Sequence, residues 1–220
     1  MEELVGRTAS TELRPWAFLV AWDGVLTLAY RGFPCSLVDL KQHIGHHFPE
    51  LPPENPGSKW PKTTLGALAE GSPPLTLDQL RTLKRVCDEC SAELRLRGTP
   101  AMRVDQLAVV VYCCASLEKR LITHRIDLLH HTGDVAAADI GEEEMKKVDD
   151  VLAEFDENQL ERYIERVATG RNHAPHYRNP RPLHLPAAMA HFCRRVDEAL
   201  GKGCYEWFHS SALHVTVRGL

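Results

Sequence analysis

The chain has 220 residues, 44% hydrophobic and 25% charged, with a formal net charge of −4. That length buries a core without staples and suits one domain, or one domain carrying an insertion. With 26 basic against 30 acidic residues, bulk attraction to nucleic acid is excluded as a driver of binding, and only a local basic groove remains open to that role. No apolar run is long enough to span a membrane, and the start MEELVGRTASTELRPW lacks the apolar stretch of a secretory leader. The seven cysteines are irregularly spaced. These features predict an intracellular protein of a reducing compartment, cytoplasmic or organellar, with free thiols and no membrane association.

Residues 17–30, AFLVAWDGVLTLAY, are β-rich with Asp23-Gly24 in the middle, a hairpin or bulge signal. Pro34 and Ser36, the latter a plausible N-cap, precede Leu37, Leu40 and Ile44 at helical spacing, which predicts a helix over about 36–47. A Pro-rich loop follows. The stretch from Trp60 to Leu68 then alternates as a strand, with Thr63 and Leu65 on one face and Lys62, Thr64 and Gly66 on the other. Thr76 and Gln79 form a capping-box pattern at the start of a strong helix that stops at Gly98. VDQLAVVVYCCA and KRLITHRIDLL read as two strands.

Composition then shifts. Between 134 and 165 there are twelve acidic and three basic residues, a local net of −9 (3 − 12). Met145, Val148, Leu152 and Phe155 make one helical stripe. Leu160, Ile164 and Val167 make a second, ended by Gly170. This predicts a helical hairpin with an acidic outer face, a surface on which a protein partner could dock. The loop RNHAPHYRNPRPLHLP follows, with Arg171, His173, His176, Arg178, Arg181 and His184. Next comes a helix of about 186–200 stopped at Gly201, and a final strand over 212–218.

Two segments rhyme across the chain. Residues 62–65 read Lys-Thr-Thr-Leu, and residues 214–217 read His-Val-Thr-Val. Each is expected on a strand that follows a helix and a connector. A β-α-β unit ending in H-x-[ST]-apolar, used twice, resembles the two-histidine phosphoesterase (LigT-like) superfamily, which includes RNA 2′,3′-cyclic phosphodiesterases. The second unit matches the pattern at His214 and Thr216. The first departs from it, because Lys62 stands where the family has its first histidine, with Thr64 kept. The resemblance implies a single α+β domain over 1–220, with two β-α-β lobes and antiparallel sheets around a central cleft. Residues 130–182 lie outside it and read as an inserted acidic helical segment followed by the basic loop. It also implies a metal-independent phosphodiesterase, with no cofactor, acting on nucleotide or RNA ends that bear a 2′,3′-cyclic phosphate.

The chemistry gives the spacing its meaning. Residues i and i+2 of a strand share a face, so His214 would project with Thr216 and Lys62 with Thr64. Opening a cyclic phosphate needs a base for water and an acid for the leaving oxygen, and histidine suits both. Hydroxyls would hold the phosphoryl oxygens. A lysine is ordinarily a cation at neutral pH, which suits a phosphate clamp or a proton donor and suits a base only if desolvated. Lys62 is equally compatible with a domain that has lost catalysis and serves as an RNA-binding or assembly subunit.

Trp60 is a candidate to stack on a base, and His176 and Arg178 to contact an anionic substrate. Cys87-x-x-Cys90 falls on the apolar face of its helix, with no second such pair, and reads as buried thiols. His43, His46 and His47 have metal-compatible spacing, but no carboxylate cluster completes a site. There is no P-loop, dinucleotide glycine fingerprint or G-x-S-x-G sequence.

Overall fold

The β-rich start of the chain forms one short strand and a hairpin. After helix α1 (Glu2–Gly6) come β1 (Thr11–Leu13), β2 (Pro15–Val20) and β3 (Leu26–Tyr30). Gly24, at φ 76°, lies in the connection between β2 and β3, where the sequence signals a hairpin. Helix α2 (Cys35–His47), strand β4 (Lys62–Leu68) and helix α3 (Leu77–Leu96) follow. Then come β5 (Met102–Val104), β6 (Gln106–Tyr112), β7 (Arg120–Asp127), α4 (Glu142–Glu154), α5 (Leu160–Thr169), α6 (Ala187–Leu200) and β8 (Tyr205–Trp207). The computed structural model describes residues 1–21, 24–113, 120–130, 139–169 and 185–219, with the backbone alone at 166–169. Gly170 and the basic loop 171–184, including His176 and Arg178, lie outside the described residues.

The fold is α+β with antiparallel sheets. The main sheet has the order β2-β3-β4-β8, and two-stranded sheets pair β1 with β5 and β6 with β7. All of β3, Leu26 to Tyr30, is buried, so this strand is covered on both faces. Helix α3 lies along the outer edge of β2. Ser91 Oγ accepts the Phe18 N–H at 2.8 Å, and Arg95 donates to the Trp16 carbonyl at 3.2 Å. These bonds occupy edge groups that would otherwise invite another strand. Phe18 also stacks on Phe192 of α6, with ring centroids 4.1 Å apart, which ties sheet and helices into one core.

Local sequence explains most of these elements. The Thr76 capping box is made in both directions, with Thr76 N–H on Gln79 Oε1 at 2.9 Å and Gln79 N–H on Thr76 Oγ1 at 3.2 Å. Helix α2 differs from expectation at its start. Its N-cap is Pro34, and Ser36 is the second helical residue, its hydroxyl buried without a partner among the described residues. Leu37, Leu40 and Ile44 turn inward as the spacing predicts.

The acidic helices form as expected, and their apolar faces enter the same core. Val148, Phe155, Leu160 and Tyr163 are buried there, and the Tyr163 hydroxyl donates to the Val20 carbonyl. Arg31 reaches Asp149 at 2.8 Å, and Cys35 N–H donates to the Asp139 carbonyl at 2.9 Å. No helix of the described residues is long and apolar enough to cross a membrane.

The end of the chain requires a correction. The strand expected over 212–218 is not formed. The C-terminal strand is the shorter β8, whose Tyr205, Glu206 and Trp207 pair with Leu68, Ala67 and Gly66. Close approach decides this pairing: a Cβ on Gly66 would stand 2.6 Å from the Glu206 carbonyl oxygen and 2.8 Å from the Trp207 ring. Beyond β8, Ser210–Ala212 make a turn of 3-10 helix, and the chain runs on to Gly219 without strand pairing. His214 and Thr216 are therefore on a tail and not on a strand.

Candidate functional site

Strand β4 positions the first candidate group. Its residues alternate: Thr63 is buried and shares a 3.0 Å hydrogen bond with the Tyr30 hydroxyl, while Lys62 and Thr64 are half-buried on the other side. Thr64 lies opposite Thr27 of β3, and Lys62 opposite Ala29. The Lys62 ammonium sits 4.3 Å above the Trp60 ring and donates to the Gly57 carbonyl. Burial lowers the pKa of Lys62 from 10.5 to about 8. The Trp60 face expected to receive a base is occupied here by this ammonium.

The turn that accepts Lys62 is itself built by side chains. Asn55 Oδ1 accepts the Gly57 N–H at 2.8 Å, an Asx turn that starts the short 3-10 helix Pro56–Ser58. Lys41 of α2 reaches Glu54 at 2.8 Å, donates to the Ser58 carbonyl at 3.0 Å and lies 4.4 Å over the Phe33 ring. Ser58 Oγ is 2.9 Å from Glu54 Oε1. Sequence reasoning treats 49–59 only as a Pro-rich loop. Asn-Pro-Gly-Ser is the signal that marks an ordered turn there.

The C-terminal tail docks on this same turn. Gly219 N–H donates to Ser58 Oγ at 2.9 Å, Asn55 N–H donates to the Gly219 carbonyl at 2.9 Å, and Arg218 donates to the Pro52 carbonyl at 3.0 Å. Thr216 lies beside Gly219, and Leu213, Val215 and Val217 pack against the core. Upstream, the His214 ring is half-buried, with Nδ1 2.7 Å from the Ala212 carbonyl oxygen. A carbonyl only accepts, so Nδ1 carries the hydrogen. In the neutral ring this leaves Nε2 with the lone pair. Burial, the largest influence, lowers the His214 pKa; the Ala212 carbonyl pulls it back up in part, and the nearby Arg120 guanidinium adds a smaller push downward. Arg120, at the start of β7, also donates to the Ser211 carbonyl at 2.8 Å. Sequence reasoning did not single out Arg120.

Lys62 and the tail thus share a seat, the turn around residues 52–58. Among the described residues, no hydrogen bond or ion pair joins Lys62 or Thr64 directly to His214 or Thr216.

Other sequence candidates separate from this site. Cys87 and Cys90 are buried in the core, and burial raises both thiols. His43, His46 and His47 cluster edge-on at the exposed end of α2, with centroids 5.4 and 6.2 Å apart. Among the described residues no group of three His, Cys, Asp or Glu is placed to hold a metal. A depression of about 470 Å³ between α1 and α2 is lined by Leu4, Arg7, Ser36, Asp39, His43 and His47, away from Lys62.

No family model, curated protein or solved structure matches the chain.

Proposed function

We propose that this protein is a phosphoesterase-like protein acting on nucleotide or RNA ends that bear a 2′,3′-cyclic phosphate. His214 Nε2 takes a proton from water as the water oxygen attacks phosphorus. The ring P–O bond breaks, and the departing ribose oxygen takes a proton from the Lys62 ammonium. Thr64 and Thr216 supply hydroxyls to the phosphoryl oxygens, and Trp60, His176 and Arg178 are the candidate contacts to the rest of the substrate. The observation that carries this reading is the pair of opposed proton states. Burial and Arg120 favour neutral His214, with its lone pair on Nε2, so it can accept a proton at pH 7. Lys62, at about 8, remains mostly charged at pH 7 yet gives up its proton far more readily than an ordinary lysine. The docking of both segments on one turn supports bringing these groups to one substrate.

A second reading has its own observation. The Lys62 ammonium is already engaged by the Gly57 carbonyl and the Trp60 ring, as a structural lysine would be. On that reading the domain is inactive and serves as an RNA-binding or assembly subunit.

Hydrolysis of nucleoside 2′,3′-cyclic phosphates and of cyclic-phosphate-ended RNA distinguishes the two. The enzyme reading expects turnover in the wild type that falls ~100-fold or more in His214→Ala. Lys62→Ala should lower kcat, with the alkaline limb of the pH profile shifted or lost. Absence of turnover in the wild type sinks the enzyme reading and leaves the binding one.

A further inference from the structure

We propose that two copies of this chain pair through the outer edge of β6, joining two β6–β7 ribbons into one four-stranded antiparallel sheet. The ribbon is the one part of the described fold where apolar strands stand in solvent on both faces. Val109 is 49% exposed, Val111 47%, and Leu121 and Ile122 61% each. The register sets Val111 opposite Ile122 and Leu107 opposite Ile126, with Val109 between them opposite His124. Leu107 and Ile126, at the base, pack against the core, so the uncovered stripe is the distal half. A two-stranded sheet alone is marginal in water and needs further strands or a helix to become stable.

The two edges of the ribbon differ. The β7 side is covered at its base: Ser10 N–H donates to the Leu129 carbonyl at 3.0 Å, Leu129 N–H donates to the Thr8 carbonyl at 2.8 Å, and Glu2 of α1 reaches His124 at 2.5 Å. On the β6 side, among the described residues, no backbone hydrogen bond leaves residues 107–112 except toward β7. A row of alternating N–H and C=O groups with no helix or loop laid over it is matched along its length by another strand.

The strand itself points to a second copy as that partner. Residues 107–111 read Leu-Ala-Val-Val-Val and are near-symmetric about Val109. Laid antiparallel on itself, Leu107 meets Val111, Ala108 meets Val110, and Val109 meets its own copy across a two-fold axis. Nothing from 106 to 112 is charged, so self-pairing buries no charge and opposes no like charges. The lysines, prolines and inward charges by which natural edges repel one another are absent from this stretch.

Sedimentation velocity of the full chain over a concentration series tests this. The wild type should be a reversible dimer. Val109→Lys places two ammonium groups across the axis and should weaken the dimer ~tenfold or more, while leaving the unfolding temperature of the dilute protein unchanged. Cysteine trapping then checks the register, in a chain with Cys113 and Cys114 replaced by Ser. Val109→Cys should give a disulfide-linked dimer on mild oxidation. Val110→Cys should not, because its copy lies two positions out of register and beyond disulfide reach. A wild type that is monomeric throughout, a dimer indifferent to Val109→Lys, or equal trapping at 109 and 110 overturns the proposal.

Discussion

The outer edges of β2 and β6 face the same physical problem and meet it differently. Both strands are apolar and both end a sheet. Along β2, a serine and an arginine of α3 satisfy the exposed backbone groups, and Phe192 closes over Phe18. Along β6 nothing within the described residues does either. The stability of a strand is therefore decided less by its own composition than by what arrives at its free side. A hydroxyl on a neighbouring helix can do for an edge what another strand would do.

Removing the cover from β2 is the hardest way to break this comparison. Phe192→Ala deletes a fully buried ring from the stacked pair and should destabilise the chain by about 3–5 kcal/mol in urea unfolding. The matching deletion on the ribbon, Ile122→Ala, should change the dilute protein by about 0.5 kcal/mol or less. Equal effects would mean the ribbon is as buried as the sheet. Ser91→Ala sharpens the contrast at a smaller scale. It strands the buried Phe18 N–H, should cost about 1–3 kcal/mol and should speed exchange of that amide in particular.

The smallest effects are those of pH. Lys62 has a lowered pKa in the fold, so between about 8 and 10.5 the unfolded chain holds a proton that the folded chain has released. Stability should therefore gain a rising component across that window, which Lys62→Met removes. His214 is lowered too, and its contribution is intact above its ordinary value of 6.5 and lost as pH falls toward the folded value. His214→Gln should flatten that acid limb in a urea titration series.

Elements with strong local signals were legible in the sequence. The Thr76–Gln79 box, the alternation of Lys62 to Leu68 and the stripes of the acidic helices each predict what forms, because each carries its own partner or period. The short strands Thr11–Leu13 and Met102–Val104 were not legible, since three residues show no period. The tail misled for a physical reason. Leu213, Val215 and Val217 alternate as a strand would, but the place beside β4 is taken by Tyr-Glu-Trp, which Gly66 admits to close contact. The alternating residues then pack against the core without strand pairing, held by side-chain and backbone groups of the 52–58 turn. At the candidate site, Lys62 and His214 were legible as residues. Their proton states were not, because burial and Arg120 come from distant parts of the chain.

Strand β8 also governs when the molecule can be finished. The Tyr205 hydroxyl donates to the Gly24 carbonyl across 181 positions of sequence, and Gly66 waits, over a shorter span, for Trp207. During synthesis the first hairpin leaves the ribosome long before its last neighbour exists. The sheet is thus closed from the C-terminal end, late and through long-range contacts, which makes for slow assembly. A chain stopped short of Tyr205 would carry β4 as a second open edge, a kinetic hazard that the complete fold conceals.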